Sequence, residues 1–134
     1  MAIALRKAMF ITELEVELLD DDRIWVLSSP LIYHSKILGR IQVPAGFQTD
    51  FASVPRLPLA YAMYGDRAHR EGVLHDYLYR QDSIPRASFK DANSVFLEAM
   101  EVREKPFYVR YPMYLAVCAG GYPSYHKRKV FDKL

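Results

Sequence analysis

The chain contains 134 residues, of which 51% are hydrophobic and 25% charged, a balance that is typical of a globular domain and excludes a disordered chain. The net charge of +2 is too small to indicate a nucleic-acid partner by itself, and the single cysteine, Cys118, excludes an internal disulfide bond. No apolar run is long enough to span a bilayer, and no signal peptide stands out. We expect one domain over residues 1–134, with mainly strands in 1–45, a motif loop and helices in 46–121, and a basic tail in 122–134.

The first third of the chain is predicted to form antiparallel strands. In residues 10–18, apolar and acidic side chains alternate, and this period of two predicts a half-buried strand with a solvated acidic face. The alternating positions are Leu14, Val16 and Leu18 on one face and Glu13, Glu15 and Glu17 on the other. Further strands are predicted at Ile24–Leu27, Leu31–Tyr33 and Lys36–Val43. The three aspartates at 20–22 lack the spaced ligands of a calcium loop, so a solvated turn that closes a hairpin is expected there.

Beyond residue 56 the pattern changes to that of helices. Residues 57–64 are apolar with a proline near their start, which suits the first turn of a helix. Residues 68–80 place four large apolar side chains at helical spacing, and Ser88 is the predicted N-cap of the next helix, which Pro106 stops. Another helix is predicted from near Pro112 to Ala119. Strands followed by helices predict an α+β fold, a small antiparallel N-terminal sheet packed by about three C-terminal helices.

Two motifs hold the side chains that could carry chemistry. The loop from Gly46 to Arg56 exposes Asp50, and the predicted helix over residues 68–80 carries adjacent His75 and Asp76. Neighbouring helical positions diverge by about a quarter turn, so both side chains reach one site only if it lies at the edge between them. An imidazole with carboxylates suits a divalent metal such as zinc or manganese, with Asp50 and Asp91 as the additional ligands. Without a metal, Asp50 would orient His75 as a general base that activates water.

A structural interpretation of the same residues has equal weight. Asp50 or Asp76 can cap backbone amides, and Asp91 can be an ordinary residue in the first turn of its helix. Carboxylate–histidine clusters occur both in functional sites and in structural hydrogen-bond networks. The basic run at 126–129 has two tyrosines nearby, but it is short, and a solvated segment or a contact with a protein partner is favoured over nucleic acid.

The order of the motifs resembles a known family. Val43-Pro-Ala-Gly-Phe-Gln-Thr-Asp-Phe-Ala-Ser-Val-Pro-Arg56, then Leu74-His-Asp-Tyr-Leu-Tyr79, then Asp91 before an apolar helix, is similar to the family catalogued as domain of unknown function 1353. The similarity extends from about Val43 to Gly120, and the positions that match the family pattern are Thr49, Asp50, Ser53, Pro55, His75, Asp76, Tyr79 and Asp91. Phe51 departs from the pattern, where a smaller aliphatic residue is expected. Members occur largely in tailed bacteriophages and prophages, so the resemblance implies a phage-related protein.

Two hypotheses about function follow from the motifs and the resemblance. In the first, the protein is a metal-binding, hydrolase-like accessory protein of infection or lysis, with Asp50, His75 and Asp76 as catalytic residues and Asp50, His75 and Asp91 as metal ligands. In the second, it is a non-catalytic virion component of a tail or baseplate, or a binding module, and the Asp/His cluster is a structural network. Whether it is an enzyme stays open. The expected location is the host cytoplasm or an assembled phage particle, and the expected partners are other phage structural proteins rather than nucleic acid or a membrane.

Overall fold

The computed structural model describes residues 7–19, 24–49 and 69–134, and within them six short strands precede three helices. The strands are β1 Met9–Phe10, β2 Val16–Leu18, β3 Trp25–Leu27, β4 Leu31–Ser35, β5 Gly39–Val43 and β6 Gln48–Thr49. The helices are α1 His69–Leu78, α2 Phe89–Val102 and α3 Phe107–Gly120, and a short 3₁₀ helix follows at Tyr122–Ser124. The predicted turn at 20–22, the predicted helix at 57–64 and most of the motif loop, including Asp50, lie outside the described residues. The α+β prediction is confirmed.

The strands form two small antiparallel sheets instead of the single predicted sheet. One sheet has the order β1-β4-β5 and the other the order β2-β3-β6. The described strands change sheet three times along the chain, between β1 and β2, between β3 and β4, and between β5 and β6. At the second change, two serines and a proline at residues 28–30 interrupt the strand pattern. In the second sheet Trp25 lies opposite Thr49, so β3 holds the first residues of the predicted motif loop.

The prediction of one strand over residues 10–18 is wrong, because β1 ends at Phe10 and β2 begins at Val16 in the other sheet, but the alternation of burial is confirmed for most positions. All three glutamates are exposed, while Leu14 and Val16 are partly buried and pack against the core. Leu18 is exposed, against the prediction, because it lies at the outer end of the short edge strand β2, with its backbone partner Trp25 only half-buried.

Two of the helix boundaries bear directly on the predictions. The predicted cap of α2 is confirmed, since the Ser88 hydroxyl accepts a hydrogen bond from the backbone N–H of Asp91 at 3.0 Å. The prediction that the last helix starts near Pro112 is wrong, because α3 begins at Phe107 after an N-cap at Pro106. Pro112 lies inside the helix and cannot donate to the Tyr108 carbonyl. Both residues are exposed, so water can satisfy that carbonyl.

The helices and sheets enclose two clusters of buried side chains. The larger one lies between the strands and the first two helices, and its members include Leu27, Tyr33, Ile41, Phe47, Leu74 and Leu78. The smaller one lies between α2 and α3 and contains Phe96, Met100, Val109, Met113 and Val117. Helix α2 therefore packs on both sides. Its Glu98 also accepts hydrogen bonds from the Tyr33 hydroxyl at 2.7 Å and the Lys36 backbone N–H at 3.1 Å.

The C-terminal segment, predicted as a basic tail, is attached to the end of α1 through its backbone. His126 N–H donates to the Tyr79 carbonyl at 2.7 Å, Gln81 N–H to the Arg128 carbonyl at 2.9 Å, and Val130 N–H to Asp82 Oδ1 at 2.8 Å. Val130 itself is part of the larger core cluster. The side chains at 127–129 are exposed. None of the helices in the described residues is long and apolar enough to cross a membrane.

Candidate functional site

Among the elements that the structure describes, helix α1 is the most deeply buried. All ten residues from Glu71 to Arg80 are buried, although four of them have acidic, basic or imidazole side chains (Glu71, His75, Asp76 and Arg80). Residues of these types are seldom buried unless they have polar partners. The contacts of this helix therefore decide what the second motif does.

His75 forms a cluster with Asn93 and Tyr79, which we call the His75 cluster. The imidazole is 0% exposed, and its Nε2 lies 2.9 Å from Asn93 Oδ1. The Tyr79 hydroxyl donates to the same Oδ1 at 2.7 Å. An amide oxygen only accepts hydrogen bonds, so Nε2 of a neutral His75 carries the proton and Nδ1 carries the lone pair. A base or a metal ligand at this position would therefore have to use Nδ1.

Burial controls the protonation state of the His75 cluster. It lowers the pKa of His75 to about 4, and the hydrogen bond with Asn93 opposes this shift only in part. Burial also raises the pKa of the Tyr79 hydroxyl, which stays protonated. The imidazole is thus neutral at pH 7. A general base works best with a pKa near the operating pH, so this imidazole is a weak proton acceptor at pH 7 but keeps the neutral form that a metal ligand needs.

Aromatic packing and one glycine fix the geometry of the His75 cluster. The ring of His75 lies with its centroid 4.0 Å from that of Tyr79 and 4.8 Å from that of Phe96. On the far side, a Cβ placed on Gly121 would lie 2.4 Å from the Tyr79 hydroxyl oxygen. The hydroxyl cannot swing away without losing its bond to Asn93. Position 121 therefore requires glycine for space.

Asp76 and Arg80 connect α1 to the strand β6 and the C-terminal segment. The Thr49 hydroxyl donates a hydrogen bond to Asp76 Oδ2, and Asp76 is only 6% exposed. The Arg80 guanidinium donates to the Gln48 carbonyl at 3.2 Å and to the Lys129 carbonyl at 3.0 Å. It also lies 4.7 Å from the centre of the Phe47 ring, within the range of a cation–π contact. In these contacts His75 faces α2 while Asp76 faces β6, as their divergence on a helix predicts.

The structure describes only some of the residues that were predicted as metal ligands and catalytic residues. Asp91 lies in the first turn of α2 and is partly exposed. Within residues 7–19, 24–49 and 69–134, no group of three or more His, Cys, Asp or Glu side chains could hold a metal ion, so His75, Asp76 and Asp91 do not form a centre by themselves. Asp50 is outside these residues, so the sets that include it remain predictions. Thr49, His75, Asp76 and Arg80 each have at least one further interaction.

Two residues of the site were missed at the sequence level. Asn93 lies on the face of α2 that also carries Phe89 and Phe96, and a polar residue within an apolar helical stripe is a signal of a buried partner. This pattern could have identified Asn93 from the sequence. Gly121 directly follows α3, and no local pattern indicates that a tyrosine hydroxyl approaches it.

The fold and the site define an α+β domain with a polar, buried helix at its centre, joined by hydrogen bonds to the next helix and to a short strand. A family model, described as protein of unknown function (DUF1353), matches residues 25–117, and the chain belongs to this family. The match covers more than two thirds of the 134 residues and confirms the resemblance to this family. No curated protein and no solved structure matches the chain.

Proposed function

We propose that this protein is a non-catalytic binding or virion structural module of a phage or prophage, in which the motif residues form an internal network. The observation that carries the proposal is the state of His75, which is fully buried, bonded through Nε2 to Asn93, and has its pKa lowered to about 4. The phage assignment comes from the resemblance of the motifs. The tail or baseplate is the assembly to which we assign it.

The hydrogen-bond network accounts for the presence of both motifs in one chain, and no catalytic role is needed to explain it. Thr49 belongs to the first motif and Asp76 to the second, and their hydrogen bond joins β6 to α1. His75 and Tyr79 of the second motif converge on Asn93 and join α1 to α2. Breaking such a link leaves a buried polar group without its partner, which costs about 1–3 kcal/mol. The same residues thereby hold the sheet and two helices in one arrangement.

The test is His75→Ala, compared with His34→Ala, which changes a half-buried histidine on β4 that the network does not use. The lost hydrogen bond, the lost ring contacts and the cavity should lower the free energy of unfolding of His75→Ala by about 2–4 kcal/mol. We expect His34→Ala to change it by less than about 1 kcal/mol. Urea unfolding with near-ultraviolet circular dichroism measures both. A His75→Ala protein with native stability and a native spectrum would contradict the structural role.

A second candidate, a metal-binding hydrolase-like accessory protein of infection or lysis, is favoured by one observation. The hydrogen bond between Thr49 and Asp76 brings the two motifs together at Asp76, and Asp50 is the next residue in the sequence after Thr49. The proposed ligands are Asp50, His75 and Asp91, and the proposed catalytic residues are Asp50, His75 and Asp76. Zinc or manganese is the metal that this donor set suits.

Metal analysis of protein purified without chelators separates the two candidates. If the second is correct, zinc or manganese should be present, and adding the metal at a hundred times its Kd should stabilise the fold by about 2.7 kcal/mol. Asp50→Asn should remove that stabilisation, while Asp82→Asn, an exposed aspartate on the α1–α2 loop, should keep it. Absence of bound metal together with an unchanged melting temperature in added zinc and manganese would reject the metal candidate and leave the structural one standing.

A further inference from the structure

Helix α3 is apolar almost all round, but only a narrow stripe of it contacts the rest of the described chain. The buried positions are Val109, Met113 and Val117, which recur every four residues and lie on one side of the helix. A helix at the surface of a globular protein normally has charged or polar residues on its other side. The outward side of α3 instead exposes aromatic and aliphatic side chains, and its polar groups are tyrosine hydroxyls.

The opposite side of α3 forms a continuous apolar surface, which we call the α3 outer face. Its members are Phe107 (66% exposed), Tyr108 (50%), Tyr111 (42%), Leu115 (61%), Pro112 and Ala119. The only charged residue within the helix, Arg110, donates from Nη1 to the Lys105 carbonyl at 2.8 Å and pairs with Glu101 at 3.6 Å, and its guanidinium also lies 5.3 Å from the centre of the Tyr111 ring. This paired cation therefore borders the outer face, whose own members are uncharged.

We propose that the α3 outer face is a self-association surface, on which α3 of a second copy packs antiparallel across a twofold axis. Large side chains occupy the first half of the face and small residues its last turn, where Ala119 and Gly120 are exposed. An antiparallel copy places Phe107 and Tyr108 of each chain over the small residues of the other. Such an isologous contact is the commonest form of soluble oligomer.

The area and the charge of the face favour a second copy of this chain. The exposed parts of its aromatic side chains and Leu115 amount to roughly 500 Å² per copy, so that with the flanking atoms a dimer buries about 1,200 Å² in total, near the lower limit for a specific interface. Because Arg110 at the edge of the face is paired with Glu101, two copies of the face meet with little repulsion between like charges, and the net charge of +2 opposes association only weakly. A basic or acidic partner would find no complementary charge there.

The experiment is sedimentation velocity on the full chain over a wide concentration range, with a matched pair of variants. Phe107→Arg places a charge on the α3 outer face, and Phe131→Arg makes the same change at an equally exposed phenylalanine elsewhere, since the two are 66% and 65% exposed. The unmodified chain should show a concentration-dependent dimer. Phe107→Arg and Leu115→Arg should raise its Kd by about 30-fold or more, as expected for residues inside an interface, while Phe131→Arg should leave it unchanged.

A cross-link provides a second measurement that does not depend on introduced charge. Leu115 lies near the middle of the helix, so the twofold axis brings its two copies close to each other. Leu115→Cys in a Cys118→Ser background should form an intermolecular disulfide under mild oxidation, and Phe131→Cys in the same background should not. A chain that is monomeric at every concentration, a dimer that persists in Leu115→Arg, or equal dissociation by Phe131→Arg would overturn the proposal.

Discussion

At the scale of the residue, one carboxamide oxygen determines the state of the second motif. Asn93 Oδ1 binds both His75 Nε2 and the Tyr79 hydroxyl, which belong to residues four apart, in the last turn of α1 and directly after it. It thereby selects the tautomer of the imidazole, and the packing around it holds the ring neutral. Gly121 completes the arrangement by leaving room for the Tyr79 hydroxyl.

Gly121→Ala tests that steric requirement. The added methyl group would meet the Tyr79 hydroxyl at 2.4 Å and the Val117 carbonyl at 2.5 Å, so we expect a loss of about 1–3 kcal/mol from overpacking. Gly120→Ala is the matched control, because a Cβ there meets nothing within 4 Å. In a Tyr79→Phe background the hydroxyl is gone and the cost of Gly121→Ala should shrink. Equal costs in both backgrounds, measured by urea unfolding, would mean that the hydroxyl does not constrain position 121.

At the scale of the element, β6 is a strand of two residues whose position depends on α1. Thr49 pairs with Trp25 through its backbone and with Asp76 through its hydroxyl, and Arg80 binds the carbonyl of Gln48. A strand this short has few ladder hydrogen bonds of its own. Its side-chain and backbone contacts to α1 therefore set where the first motif begins.

Thr49→Val removes the hydroxyl at nearly constant volume and tests the link between β6 and α1. Because the lost bond goes to a buried carboxyl group, the free energy of unfolding should fall by about 2 kcal/mol. The same substitution in an Asp76→Asn background should cost less, and the difference gives the coupling energy of the pair. Strictly additive costs would show that Thr49 and Asp76 act independently.

At this scale the sequence predicts features that have a local signal, and it does not predict contacts between distant residues. The Ser88 cap and the alternation of the three glutamates depend on neighbouring residues, and local patterns predicted both. The division of six strands between two sheets depends on pairings such as Trp25 with Thr49, which join positions far apart in the sequence. Helical geometry predicted that His75 and Asp76 diverge, but the identity of the partners depended on how α1 packs against α2 and β6. Tertiary contacts determine which residues are the partners of His75 and Asp76, and local sequence patterns do not encode these contacts.

At the scale of the whole molecule, the buried imidazole couples stability to pH. An unfolded histidine has a pKa of about 6.5, whereas that of His75 in the fold is about 4. The unfolded chain therefore binds more protons than the native one between these values, and stability falls as the pH decreases from about 6.5 to 4. Above about pH 6.5 the full contribution of the neutral His75 to the free energy of unfolding is present, and below about pH 4 its protonation causes no further loss of stability.

The pH effect can be measured against a variant that does not titrate. Urea unfolding at a series of pH values should show that the free energy of unfolding of the native chain falls by roughly 3 kcal/mol more between pH 7 and 4 than that of His75→Gln. Carboxylates titrate in both proteins and cancel in the difference. A difference that does not change with pH would contradict a neutral, buried His75.

The two hydrophobic clusters also divide the molecule by how readily its backbone opens. Helix α2 belongs to both clusters, whereas α3 packs through one stripe of buried side chains, with Tyr114 and the Arg110–Glu101 pair beside it. Opening α3 exposes little apolar surface compared with opening α1, which is buried over its whole described length after the first turn. In native-state hydrogen exchange, the amides of α3 should therefore exchange through a local opening well below the global free energy, while those of α1 exchange only with global unfolding. If a dimer forms through α3, the exchange of the α3 amides should become slower as the protein concentration rises.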